Sequence, residues 1–199
     1  QFLIREELLK FQSIFQNIGS AVILMNANNG NIISMVSLPD FNLNKRETIK
    51  DVNYINRVTK GTYELGSVFK TFTVAAGLDS ELIEPETEFL NLEKKLNCGK
   101  STITEYDNKI LSDLTVEEIL IKSGNIGSVR IGQMLEIEGL KSFLKKIGIL
   151  DKIEFDIEEV GEPIPFRWGK CKLATASFGH GITTTPLQLA KAYAIISNG

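Results

Sequence analysis

Two short apolar, β-branched runs, residues 20–26 and 31–37, flank Ala27-Asn28-Asn29-Gly30, and nearly every other patterned stretch of the chain has helical spacing. Asn-Gly suits the positive φ of a tight turn, so the two runs predict a β-hairpin over 20–37. Ahead of it Ile4, Leu8, Phe11 and Phe15 share one helical face and Glu6 pairs with Lys10 at i, i+4, which predicts an amphipathic helix over 1–17. Downstream the helical segments are 67–80, 115–121, 126–135, 140–147, 173–178 and 186–196, with Thr115-Val116-Glu117-Glu118 resembling a capping box. Residues 82–112 read as irregular or short-stranded, and the aperiodic stretch 38–66 is a loop long enough to suggest function. One hairpin followed by helices predicts an α+β layer, a sheet packed on a helical cluster. A sheet of two strands is marginal alone, so the pattern also predicts further strands after Gly199.

Charge narrows the function classes. The 199 residues carry 22 Lys+Arg against 25 Asp+Glu, a net charge of -3, which argues against binding driven by nucleic-acid phosphates. Lys45-Arg46, Lys94-Lys95 and Lys145-Lys146 are short and dispersed, as on solvated faces. With 43% hydrophobic and 24% charged residues the chain has the balance of a single folded domain. Apolar runs such as 21–25 fall far short of the roughly 18 to 20 residues that span a bilayer, and no signal-peptide pattern opens the chain. Cys98, Cys171 and the lone His180 lack zinc-site spacing, so no metal is predicted.

The sharpest local signal is Ser67-Val68-Phe69-Lys70 after Gly66. Residues at i and i+3 of a helix are rotated by roughly 300° and are therefore neighbours on one face. A lysine there, partly desolvated and near the positive helix end, has its pKa pushed down, and its neutral amine can take the serine proton. The alternative is a serine that caps a helix beside a solvated surface lysine. A second signal, Ser123-Gly124-Asn125, follows a capped helix and precedes another, so it falls in a tight interhelical turn. S-x-x-K followed by S-x-N in such a turn is the ordered pair of penicillin-recognising serine acyltransferases. Other motifs fit less well: 61–67 begins like a phosphate-binding loop but has Ser67 where its lysine must stand. His180 has no G-x-S-x-G partner and is read as shaping the Gly179-His180-Gly181 turn. Glu88-Phe89-Leu90-Asn91 precedes the S-x-N turn, the wrong order for the deacylating glutamate segment of a class A β-lactamase.

Residues 61–78, GTYELGSVFKTFTVAAGL, resemble the nucleophile segment of class B penicillin-binding proteins, the D,D-transpeptidases of the bacterial cell wall. Residues 30–44 are similar to that family's first hairpin and the segment after it, 114–127 to its S-x-N region, and 173–199 to the helix entry before its third motif. The similarity is closest to the division-specific septal branch. It implies an α+β penicillin-binding transpeptidase fold, like that of the serine β-lactamases, with 1–199 forming a partial transpeptidase domain. The family's Lys-Thr/Ser-Gly strand, which supplies an oxyanion N–H and a cation for the substrate carboxylate, has no counterpart before Gly199. The chain as given is therefore expected to be C-terminally truncated, poorly stable and poorly active. Glu64-Leu65 stands where the family commonly has Glu-Pro, a change that softens the loop.

Carried over by position, the resemblance implies that Ser67 is the acylated nucleophile and Lys70 its general base. Ser123 relays protons to and from the leaving amine, and Asn125 binds the substrate backbone. It implies acyl transfer in peptidoglycan cross-linking, covalent trapping by β-lactams, and no cofactor. The implied partners are stem peptides, a glycan polymerase and other division proteins, with the parent anchored in the inner membrane by an N-terminal helix and its catalytic domain in the periplasm. In that compartment Cys98 and Cys171 either pair or remain buried free thiols. Two other classes share the motifs: a β-lactam sensor or class D-like β-lactamase, and a non-catalytic scaffold binding peptidoglycan or division proteins.

Overall fold

A computed structural model describes residues 1–45, 54–99 and 101–199; part of the stretch 38–66, including Arg46, lies outside them. The chain divides into two compact units, Gln1–Tyr63 with Ile147–Ile164 and Thr184–Gly199, and Glu64–Lys146 with Pro165–Thr183.

In the first unit strands β1 (Ser20–Met25) and β2 (Ile32–Leu38) pair antiparallel, Ser20 opposite Leu38 through Leu24 opposite Ser34, and the register shifts at Met25. The turn closes through Gly30 N–H to the Asn26 carbonyl at 2.8 Å, with Gly30 at φ 73°. Alternation along β2 buries Ser34, Val36 and Leu38 on one face. Helix α1 (Phe2–Phe15) lies along both strands, yet it buries none of its residues. Phe11 and Phe15 stack on each other at 5.8 Å while remaining 50% and 68% exposed. A helix at Pro186–Asn198, the last in the chain, packs on β1. Its start is fixed by a reciprocal cap: Gln188 N–H donates to Thr185 Oγ1 and Thr185 N–H to Gln188 Oε1, with Pro186 in the first turn.

The second unit is built around helices. A 3-10 turn at Gly66–Phe69 runs into α2 (Lys70–Asp79), so the segment read from sequence as one helix over 67–80 begins more tightly wound. Next come β3 (Glu88–Phe89), the hairpin strands β4 (Lys95–Cys98) and β5 (Ser101–Thr104), and β6 (Leu114–Thr115), which pairs with β3. Helix α3 (Val116–Ile121) starts at the capping box foreseen in the sequence, with Glu118 N–H on Thr115 Oγ1 and Thr115 N–H on Glu118 Oε2. Helix α4 (Asn125–Lys146) joins the two segments 126–135 and 140–147, interrupted only at Glu136, where φ is 57°. Helix α5 is Lys170–Ala176, and the Pro186–Asn198 helix of the first unit is α6.

Helices α2, α3 and α5 all pack against α4. Phe69, Phe72, Ala76, Ile119, Ile126, Val129 and Ile131 form the core of this unit, each at most 1% exposed. Close approach of α3 and α4 depends on Gly127, where any Cβ would collide with the Ile119 side chain.

Cys98, at the end of β4, forms a disulfide with Cys171 in α5, with Cα atoms 5.3 Å apart and the two cysteines 73 positions apart in sequence. The pairing left open by the sequence is thus resolved: the bond staples the β4–β5 hairpin to the helical cluster. Closing a loop of that length removes roughly 4 kcal/mol of unfolded-chain entropy. In the full-length protein the double variant Cys98→Ser/Cys171→Ser is expected to unfold at a lower urea concentration, by about 2–4 kcal/mol. An unchanged midpoint would show that the bond constrains nothing the fold does not already hold.

Candidate active site

Ser67 sits in the second position of the 3-10 turn and is exposed. Gly66, at φ 56°, begins the turn, and its N–H donates to the Gly179 carbonyl at 3.3 Å. Gly179 itself has φ 82°, and a Cβ there would collide with the Gly66 carbonyl oxygen. Two glycines thus let the backbone after α5 lie against the turn that presents Ser67. Beneath it Phe69 and Phe72 meet edge to face at 5.4 Å in the core, and Thr73 Oγ1 donates to the Ser177 carbonyl at 2.9 Å, tying α2 to the same backbone. No side-chain oxygen caps the turn, so the Ser67 hydroxyl is not spent on capping.

Lys70, one turn further on, is only 1% exposed. Its ammonium donates to Ser123 Oγ at 2.9 Å and to the Ser123 carbonyl at 2.5 Å. This removes the alternative of a solvated surface lysine. Burial strips water from the ammonium and pushes the Lys70 pKa down to about 8, with the Glu105 carboxylate acting in the opposite sense.

The Ser123-Gly124-Asn125 turn lies between α3 and α4, where the sequence placed it. Ser123 has the left-handed φ of 53°, uncommon for a residue with a Cβ. Asn125 begins α4, and its Nδ2 donates to the Thr104 carbonyl at 2.8 Å, which orients the amide. The structure therefore brings Lys70 and Ser123 into direct contact, leaves Ser67 exposed on the turn before Lys70, and ties Asn125 to the end of β5.

Glu105 was not read from the sequence as part of this group. Its carboxylate accepts from the Asn125 N–H at 2.6 Å and the Ile126 N–H at 2.8 Å, pairing two of the donors that a helix start leaves open. No local signal marks it, because the bond joins residues 20 positions apart. His180 stands outside the group: it stacks on Phe178, is largely exposed, and its Nδ1 lies 3.1 Å from a Glu64 carboxylate oxygen.

An exposed serine, a buried lysine with a lowered pKa one turn later, and a second serine on that lysine are chemically able to support nucleophilic catalysis by a serine with a neutral amine as its base. Residues 20–199 match the family described as "Penicillin binding protein transpeptidase domain", and the chain belongs to that family. It resembles the class B members of the FtsI type. It is 30% identical over its whole length to "Probable peptidoglycan D,D-transpeptidase FtsI" of Caulobacter vibrioides and 30% identical to "Probable peptidoglycan D,D-transpeptidase PenA" of Neisseria flavescens. The chain spans 34% and 49% of the lengths of those two relatives. The fold is that of the transpeptidase domain of Burkholderia pseudomallei penicillin-binding protein 3, with a TM-score of 0.85 at 24% identity, covering all of this chain and 56% of that one.

Proposed function

We propose that the protein is a peptidoglycan D,D-transpeptidase that works through a serine acyl-enzyme and is the covalent target of β-lactams. The reading is carried by the buried Lys70, bonded to Ser123 and placed one turn after the exposed Ser67. Ser67 Oγ attacks the penultimate D-alanine carbonyl of a stem peptide while its proton passes to the neutral Lys70 amine. The C–N bond of the terminal D-alanine then breaks, and the departing amine takes a proton through Ser123, which Lys70 resupplies. An amine from a neighbouring strand attacks the acyl-enzyme, forms the cross-link and returns Ser67 to its free state. Asn125 holds the substrate backbone. No cofactor enters this scheme, since proton transfer within the cluster activates the nucleophile.

The resemblance of residues 61–78 and 114–127 to the septal branch supports a place for the full-length protein at the division site. By the same resemblance its anchor would lie in the inner membrane and its catalytic domain in the periplasm, acting with a glycan polymerase and other division proteins. Among the described residues no helix is long and apolar enough to cross a membrane. The test is intact-mass analysis of the full-length protein after incubation with benzylpenicillin, with the adduct located by digestion. One equivalent on Ser67 is expected. No adduct on folded protein would overturn the reading in favour of a scaffold, and steady turnover of a chromogenic β-lactam would overturn it in favour of a hydrolase.

A further inference from the structure

Ser123 keeps a left-handed backbone, which a residue with a Cβ holds only when its surroundings over-determine it. What fixes it on one side is the end of α3, where the Gly124 N–H donates to the Ile119 carbonyl at 2.8 Å. On the other side stands the end of β5. Thr104 accepts from the Asn125 side chain, and the two Glu105 oxygens accept from the backbone N–H groups of Asn125 and Ile126, one each. A carboxylate suits this place because the open N–H groups and the positive end of the α4 dipole both favour a negative charge.

The Glu105 charge also reaches the lysine, favouring its protonated form against the lowering of its pKa by burial. Of the other acids on α2, α3 and α4, Glu118 pairs with Lys122 and Asp79 with Lys146, while Glu117, Glu136 and Glu138 are exposed to solvent; Glu93, in the loop before β4, pairs with Arg130 of α4.

We infer that Glu105 is a positioning residue for the acylation chemistry: by gripping the first two N–H groups of α4 it holds the Ser123-Gly124-Asn125 turn where Ser123 meets the Lys70 ammonium. This rests on the acyl-transfer reading proposed above. The carboxylate does two separable things. Its paired hydrogen bonds set where Ser123 and Asn125 stand, and its charge favours the protonated form of Lys70. A glutamine at this position keeps one acceptor but turns an N–H donor toward an N–H donor, so one of the two bonds is lost together with the charge.

The experiment uses full-length protein with Glu105→Gln and Glu105→Asp. Three quantities are read: the rate of Ser67 acylation by benzylpenicillin against pH, the pH midpoint of Lys70 acetylation in competitive labelling with acetic anhydride, and the urea unfolding midpoint. For Glu105→Gln acylation on the plateau above the Lys70 midpoint is expected to fall roughly tenfold or more, the size of a lost hydrogen bond to a charged group. In the same variant the Lys70 midpoint and the acid limb of the rate profile should both move to lower pH. Glu105→Asp, which keeps the charge, should hold the Lys70 midpoint near that of the unsubstituted protein and recover part of the rate.

Acylation and a Lys70 midpoint both unchanged in Glu105→Gln would overturn the inference. So would a rate loss that follows the unfolding midpoint while the Lys70 midpoint stays fixed, since a merely structural role predicts that. If Glu105→Gln fails to fold, Glu105→Asp decides: an unchanged rate in a variant that no longer reaches both N–H groups also overturns it. Should the unsubstituted protein give no Ser67 adduct, the acyl-transfer reading fails, and the Lys70 midpoint in Glu105→Gln still reports whether Glu105 acts on the lysine.

Discussion

Ser67→Ala is expected to abolish covalent labelling of the full-length protein by benzylpenicillin while leaving its unfolding midpoint within about 0.5 kcal/mol of the unsubstituted protein. Both halves follow from where the hydroxyl sits. Ser67 is exposed on the 3-10 turn, and no side chain caps that turn, so alanine removes no bond that the fold uses. The turn is held instead by Phe69 in the core and by the Gly66 N–H on the Gly179 carbonyl, which alanine at 67 does not touch. The other hydroxyl of the group, that of Ser123, already accepts from the Lys70 ammonium. Intact-mass analysis of the variant, with circular dichroism to follow unfolding, checks the result. An adduct that persists and maps to Ser123 would assign the nucleophile to the wrong serine. A large loss of stability would show that the hydroxyl has a structural partner after all.

Much of this group could be read from the sequence because its members are related by short spacings. The i, i+3 spacing places Ser67 and Lys70 on successive turns of one segment, and the Thr115–Glu118 box fixes the start of the helix that delivers Ser123. What spacing cannot supply is burial. Lys70 is desolvated because α2 packs on α4 and the Ser123 turn closes over its ammonium, a contact between residues 53 apart. The 3-10 winding at Gly66–Phe69 was also not legible, since it depends on Gly179 lying against Gly66 from a distant part of the chain. Glu105 and the Cys98–Cys171 bond share that origin: each joins a hairpin residue to a helix far along the sequence, and no local period encodes such a meeting. The opposite case is α1, whose apolar spacing is regular although the structure leaves Phe11 and Phe15 exposed. Periodicity reports a helix and its faces, whereas burial depends on what else packs there.

Lys70→Ala is expected to slow acylation by roughly 10²–10⁴, the usual contribution of a positioned general base. The pH dependence gives the sharper test. A lysine with a pKa of about 8 is about one-tenth neutral at pH 7, some 300-fold more than at its ordinary value of 10.5. Only the neutral amine can accept the Ser67 proton, so acylation should be slow in acid, rise tenfold per pH unit below 8, and level off above it. Desolvation, the leading cause of the lowered pKa, survives as long as α2 stays packed, so the midpoint should remain near 8 whichever β-lactam is used. Lys70→Arg separates charge from basicity, because a guanidinium keeps donors for Ser123 but does not deprotonate in this range. Its acylation should be as slow as that of Lys70→Ala and should lose the rise through pH 8. A Lys70→Arg variant that kept the rise would place the titrating group elsewhere and leave Lys70 with a purely electrostatic part.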